Sequence, residues 1–322
     1  MHVSIIIPAL NEAERLSVLL LALSEQSVPA LEIIVADAGS TDDTRAIADA
    51  AGCVVVDGGM PGVGRNAGAA VATGELLLFL DADVRPEPDF LAAATDEFER
   101  SGCVVATCLM APLEESALNT FLAESANLYL QVMRPISPHA PGSCVLCLRS
   151  VHEAIGGFDE SLLLAEDHDY VQRASARGGF AVLTGVSMPT SMRRFESEGL
   201  IALSLKYLWS EMHAITGRPI REIPFEYEFG AHALPGAADP PSRFAEEIAR
   251  LRAQLPDIGD PFEHLSARAR EFFEDLVERS DARAMRLRIR ELLDASDIAE
   301  LERYLRNRLR MFKTSYRRRD ER

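Results

Sequence analysis

Lysine is nearly missing from this chain. Lys206 and Lys313 are the only two, and arginine supplies every other side-chain cation. Biased genomic base composition is the plain explanation, and it names no function. A positive balance is also missing. The net charge of −17 argues against general nucleic-acid binding, which needs a basic face to displace counterions. No long apolar run is present either. The most hydrophobic segment, Leu200 to Ile215, is interrupted by Lys206, Glu211 and His213, short of the ~20 apolar residues that span a bilayer. Met1 to Pro8 carries no basic leader and no extended apolar stretch, so it does not read as a signal peptide and a cytoplasmic protein is expected. Cysteines are few and odd in number: Cys53, Cys103, Cys108, Cys144 and Cys147. They form no disulfide framework and suit a reducing compartment. Cys144-Val-Leu-Cys147 is a lone CxxC inside an apolar run, which reads as a buried strand in preference to a zinc or redox site. There is no internal repeat.

What is present fits a soluble globular chain. Its 322 residues are 48% hydrophobic and 26% charged, enough for one large α/β domain plus a further element, or for two modest domains. Apolar runs at Val3–Ile7, Glu32–Ala36, Val54–Val56, Leu76–Leu80, Val104–Leu109 and Cys144–Leu148 predict strands. Helical patterns alternate with them at Glu12–Gln26, Thr41–Ala51, Arg65–Ala72, Pro88–Arg100, Glu114–Met133, Val151–Ile155 and Glu166–Arg177, with Ser40 or Thr41 available to cap the second. Short buried strands alternating with helices indicate a Rossmann-like, mainly parallel sheet covered on both faces. A further helix is expected over Leu200–Thr216, and Ala/Pro/Gly-rich Pro235–Pro241 reads as a linker. The expected domains are therefore 1–235 and a helical extension over 242–322.

Polar clusters follow three of the strands: Pro8-Ala9-Leu10-Asn11-Glu12, Asp37-Ala38-Gly39-Ser40-Thr41-Asp42-Asp43 and Asp81-Ala82-Asp83. Each alone reads equally well as a turn or a cap. Together they lie where doubly wound sheets bind ligands, at the carboxyl ends of strands. Asp81 and Asp83 offer hard oxygen ligands of the kind Mg²⁺ or Mn²⁺ shares with substrate phosphates. Asp37 is able to accept from the imide N–H of a base. Arg65, with Asn66 after a Gly62-Val63-Gly64 turn, is placed to bring a guanidinium to a diphosphate.

These segments, with Gly74-Glu75 leading into Leu76-Leu77-Leu78-Phe79-Leu80-Asp81-Ala82-Asp83, and later Gly156-Gly157-Phe158-Asp159-Glu160 and Ala165-Glu166-Asp167, resemble glycosyltransferase family 2 from about Met1 to Phe195. The resemblance implies a GT-A fold, a nucleotide-sugar donor (UDP- or GDP-sugar), a divalent metal and inversion at the anomeric carbon. Pro8, Ala9, Leu10, Asn11, Glu12 and Asp37 would then hold the nucleoside, with Gly39, Ser40, Arg65 and Ala82 in the same donor site. Asp81 would touch ribose or metal, and Asp83 would be the direct metal ligand. Asp167, paired with Glu166, would be the general base for an acceptor hydroxyl. The Gln-x-x-Arg-Trp signature and membrane spans of processive members are missing, so transfer of one sugar is expected.

Alternatives stay open at this stage. The clusters do not fix stereochemistry, so a retaining transferase remains, as does a non-catalytic sugar-nucleotide sensor or scaffold. A nucleotidyltransferase is disfavoured, because Gly62-x-Gly64-Arg65 comes too late for a loop after the first strand. Arg193-Arg194-Phe195 is a candidate cationic loop over the diphosphate. Beyond Ser242, apolar stripes such as Phe244, Ile248, Leu251 and Leu255 suit core or homo-oligomer contacts. From Arg303 to Arg322, nine Arg/Lys stand against two Asp/Glu. That tail suits peripheral contact with an anionic inner-membrane surface near a lipid-linked acceptor, or a solvated or subunit-packing role. A soluble acceptor fits equally.

Overall fold

The computed structural model describes residues 1–114, 116–134, 137–194, 207, 210 and 219–221. Apart from residues 207 and 210, the expected helix at 200–216 lies outside the described residues, as do the linker, the helical extension with its basic tail, and Phe195. The chain divides into two compact units, and the fold below belongs to the first, which includes Met1–Leu113 and Ala123–Ser191. In the second, Glu114 accepts from the Met192 N–H at 2.9 Å through Oε2 and from Asn119 Nδ2 at 2.9 Å through its carbonyl.

Seven strands form one sheet in the order β3-β2-β1-β4-β6-β5-β7. They are β1 (Val3–Ala9), β2 (Glu32–Asp37), β3 (Val54–Asp57), β4 (Leu76–Leu80), β5 (Val105–Pro112), β6 (Cys144–Leu148) and β7 (Phe180–Thr190). All pairings are parallel except the two made by β6. The helices are α1 (Ala13–Ser24), α2 (Thr44–Ala50), α3 (Pro61–Val71), α4 (Phe90–Ser101), α5 (Ala117–Met133), α6 (Arg149–Ile155) and α7 (Glu166–Ser175).

The apolar runs explain the layering. Along β4, Leu76, Leu78 and Leu80 enter one core with Leu16 and Leu19 of α1 and Phe90, Leu91 and Phe98 of α4. Leu77 and Phe79 enter the opposite core with Ala69 of α3, Val151 of α6 and Tyr170 and Val171 of α7. A strand buried on both faces has no polar alternation, which is why it reads as a continuous apolar run. The same pleat separates the CxxC thiols: Cys144 lies in the first core and Cys147 in the second. They face apart and cannot grip one metal. Burial pushes the Cys147 thiol up to about 11, which leaves it protonated and inert at neutral pH.

Three readings are corrected. The Gly62-Val63-Gly64 segment is not a turn but the first turn of α3, with Pro61 at its start. Glycine serves packing there: a Cβ at Gly68 would lie 2.5 Å from Ile6 Cγ2 of β1, so only glycine lets the helix rest on the strand. Ser40 and Thr41 do not cap α2, which begins at Thr44; the Thr44 N–H donates instead to Asp42 Oδ1 at 3.0 Å. Finally, β7 was not anticipated. Its pairing with β5 jumps from Cys108↔Leu183 to Leu109↔Ser187. In the bulge, Glu97 of α4 accepts the Thr184 and Gly185 N–H groups at 2.8 and 3.0 Å. Pro189 is tolerated because β7 is an edge strand.

Candidate functional site

Parallel order places the three polar clusters on one edge. Ala9 at the end of β1 is paired with Asp37 at the end of β2, and β4, ending at Leu80, lies on the other side of β1. The first two clusters are joined by backbone-to-side-chain hydrogen bonds. The Asn11 N–H donates to Ser40 Oγ at 2.9 Å, and the Thr41 N–H donates to Asn11 Oδ1 at 2.8 Å. Asn11 adopts φ 53, a left-handed conformation that asparagine tolerates better than most residues. Pro8 and Ala9 form the end of β1, and the Ala9 carbonyl accepts the Ala38 N–H at 2.8 Å. Leu10 is half-buried in the same turn. Gly39 takes φ 85 with nothing near its missing Cβ, so its role is conformational.

Two acids of these clusters are turned inward. Asp37 is 4% exposed, with the Ser40 N–H shared between its oxygens at 3.3 Å and Arg45 Nη1 3.6 Å from Oδ2. Glu12 is also buried; its carboxylate receives Arg15 Nη1 at 2.8 Å and its N–H donates to Thr44 Oγ1 at 2.9 Å. Both groups therefore shape these two loops.

The third cluster converges with the start of α7 on Arg65. This arginine leaves α3 buried, donates Nη1 to Glu166 Oε1 at 2.7 Å, and donates Nη2 to Asp81 Oδ1 at 2.9 Å and the Gly142 carbonyl at 3.3 Å. Its guanidinium lies 5.4 Å from the Phe158 ring centre, a cation–π distance. The sequence reading had placed this guanidinium at a diphosphate; the structure commits it to carboxylates on the buried side of the site. Burial opposes its charge, yet Asp81, Glu166 and Asp167 outweigh that cost and raise its pKa. Burial likewise pushes the Glu166 carboxyl above the ordinary range, with the neighbouring Asp167 charge adding and Arg65 partly offsetting.

Asp167 Oδ1 accepts the His168 N–H at 2.8 Å in the first turn of α7. Its Oδ2 lies 3.3 Å from where a Gly142 Cβ would stand, and Arg65 Nη2 lies 2.6 Å from the same point. The acids after β4 and at the start of α7 thus meet in one place. Asp81 keeps 37% of its side chain exposed, Ala82 is buried beneath it, and Asp83 is half-buried with its carbonyl accepting the Ser191 N–H at 3.1 Å. Asp81 and Asp83 both carry carboxylates, the hard oxygen donors that Mg²⁺ or Mn²⁺ prefers. Among the described residues no group of three His, Cys, Asp or Glu side chains gathers around a metal position. A cation held by Asp81 and Asp83 would complete its shell with phosphate oxygens and water.

Asn66 is the residue whose part sequence reasoning missed. Its Oδ1 accepts the Phe158 N–H at 2.8 Å, and its Nδ2 donates to the Phe158 carbonyl at 3.0 Å and to Glu160 at 2.9 Å. A Cβ at Gly157 (φ 73) would stand 2.5 Å from that Oδ1, so the glycine is sterically required. Phe158 stacks on Tyr170 at 3.9 Å and 6°. His152 shares a 3.0 Å hydrogen bond with Tyr170, and burial lowers its pKa to about 4, so it is neutral. This aromatic floor fixes the loop that delivers Glu166. Ala165, immediately before, is held at φ 58, a strained conformation for a residue with a Cβ.

A seven-stranded, mostly parallel sheet with helices on both faces and its acids at one carboxyl edge is a GT-A-type fold. It shares its fold with a mannosyltransferase of Pyrobaculum calidifontis solved with GDP-Man and Mn²⁺, at a TM-score of 0.56 and 19% identity, over 96% of this chain and 84% of that one. The description "Glycosyl transferase family 2" matches residues 4–156, so that stretch of the chain is similar to this family. A pre-mycofactocin glycosyltransferase of Mycobacterium tuberculosis is 26% identical over 243 residues, 71% of this chain and 51% of that one. A glucosyl-3-phosphoglycerate synthase of Mycolicibacterium smegmatis is 36% identical over 105 residues, 28% of this chain and 33% of that one. The chain spans about half the length of the pre-mycofactocin relative. Among the described residues no helix is long and apolar enough to cross a membrane.

Proposed function

We propose that this chain is a metal-dependent glycosyltransferase that moves one sugar from a nucleoside-diphosphate donor to an acceptor hydroxyl with inversion. The observation that carries the reading is the meeting of Asp81 and Glu166 at Arg65, with Asp167 Oδ2 facing the same point beside Gly142, which brings carboxylates from the donor edge and the acceptor edge to one place. The loops at Pro8–Glu12 and Asp37–Ser40 would receive the nucleoside. Asp83, with Asp81, would hold Mg²⁺ or Mn²⁺ against the diphosphate, where a divalent cation neutralises charge on the leaving group.

Asp167 is the general base in this reading. Its Oδ2 takes the proton of the acceptor hydroxyl as that oxygen bonds to the anomeric carbon, while the bond to the diphosphate breaks and the nucleotide departs with its electron pair. One carboxylate acting opposite the leaving group gives a single displacement, hence inversion. Fixing Oδ1 on the His168 N–H orients Oδ2 toward Gly142 and the site. The relatives named as glycosyltransferases, and the GDP-Man and Mn²⁺ of the Pyrobaculum structure, support the class of donor without naming this chain's sugar.

A thermal-shift panel of UDP-, GDP- and dTDP-sugars, with Mn²⁺ or with chelator, tests the donor and the metal together, since binding raises the melting temperature by mass action. Asp167→Ala should retain that shift while turnover with the selected donor falls about 10²–10⁴-fold. Near-normal turnover would remove Asp167 from the base role. NMR of the product's anomeric configuration separates inversion from retention. A cytoplasmic location and contact of the basic 303–322 tail with anionic membranes complete the proposal; unchanged sedimentation with anionic liposomes at low salt would end the membrane part.

A further inference from the structure

We infer that Arg65 is a positioning residue that couples the metal-binding carboxylate of the donor side to Glu166 on the acceptor side, so that Glu166 sets metal affinity without being a ligand. The inference rests on the donor-metal reading above. Its basis is the two-sided grip on Asp81. From outside, Asp81 is open to a ligand, with 37% of its side chain exposed, whereas the guanidinium holding it from inside is only 3% exposed. That guanidinium is shared: Nη1 is engaged by Glu166 at 2.7 Å and Nη2 by Asp81 at 2.9 Å. Delocalised charge in one planar group makes the two contacts interdependent. While Glu166 is ionised it takes up part of the cation, and Asp81 remains electron-rich enough to serve a metal. Without the Glu166 charge, the full cation falls on Asp81 and competes with the metal for the same carboxylate. Glu166 is then the counter-charge of Arg65, not a second catalytic acid. Its direct contact with Arg65 agrees with that assignment.

The test is a double-mutant cycle read as Mn²⁺ affinity. Mn²⁺ is titrated by calorimetry, in saturating UDP or GDP, into wild type, Glu166→Gln, Arg65→Met and the double variant. Glutamine preserves size and an acceptor oxygen, so E166Q should fold. Its Mn²⁺ dissociation constant should rise about fivefold or more, the usual scale for coupled sites. In the R65M background the same change should shift affinity less than about twofold. An equal effect of E166Q with and without Arg65 would overturn coupling through the guanidinium. If R65M does not fold, Glu166→Asp decides: the charge is kept but withdrawn from Nη1. Weakening like that of E166Q supports the contact, and wild-type affinity refutes it. Wild type that shows no Mn²⁺-dependent nucleotide binding would instead overturn the donor-metal reading itself.

Discussion

Replacing Gly142 with alanine puts a methyl carbon 2.6 Å from Arg65 Nη2 and 3.3 Å from Asp167 Oδ2. Ordinary contact begins near 3.4 Å, so about 0.8 Å of relief is required on the arginine side. The guanidinium is not a loose side-chain end. It is held by Glu166 at 2.7 Å and Asp81 at 2.9 Å over the Phe158 ring. Retreat therefore lengthens ion pairs, while staying put strains the strand end before β6. Overpacking of this kind costs about 1–3 kcal/mol, and each kcal/mol lowers the melting temperature by roughly 2–4 °C in a domain of this size. Thermal unfolding of Gly142→Ala should show a fall of about 2–12 °C. Displacing a site group by about 1 Å typically costs ~10²-fold in rate, so turnover should fall more than donor binding does. A variant with wild-type melting temperature and turnover would refute the claim that Arg65 and Asp167 crowd this glycine.

Asp83→Asn should abolish the Mn²⁺-dependent part of nucleotide binding while leaving the fold intact; unchanged Mn²⁺ dependence in calorimetry would count against the ligand assignment. Gly157→Ala combines a left-handed φ with a 2.5 Å approach to Asn66 Oδ1, so denaturant unfolding should show a loss of about 2–4 kcal/mol. Glu166 gives a pH signature. Burial raises its pKa above the ordinary 4.5, so the folded protein holds this proton more tightly than the unfolded chain. The stabilising contribution of that proton is therefore fully present below about 4.5 and is lost as pH rises through the raised value. Glu166→Gln should flatten that descent, and an unaltered slope would place the titration elsewhere.

Much of the sheet was legible because its strands are buried on both faces. Leu76–Leu80 and Cys144–Leu148 are uninterrupted apolar runs, and the structure starts and ends those strands at the same residues. The common edge of the three polar clusters was also legible, since parallel order makes it a consequence of chain direction. β7 was not, because Gly185 and Pro189 break its pattern and a bulge held by Glu97 removes alternation. Glycines 62 and 64 suggested a turn, whereas neighbouring Gly68 shows that α3 uses glycine to lie close on β1. The burial of Arg65 was beyond sequence reading: its partners are 16 and 101 residues away. The same holds for Asn66, which ties down a backbone segment 92 residues further on. Both contacts depend on the fold bringing α3 beside the loop before α7, and local pattern carries no signal for that. The Arg-Asn pair followed by a later Gly-Gly-Phe was the only available hint.

The most direct measurement is an anomalous-difference map from crystals soaked with Mn²⁺ and the nucleoside diphosphate selected by the thermal-shift panel. One Mn²⁺ peak bonded to Asp83 and the diphosphate, adjacent to Asp81 and with Asp167 across the same crevice, is the expected result. A peak on other residues, or nucleotide bound away from the carboxyl edge of β1, β2 and β4, would contradict the account.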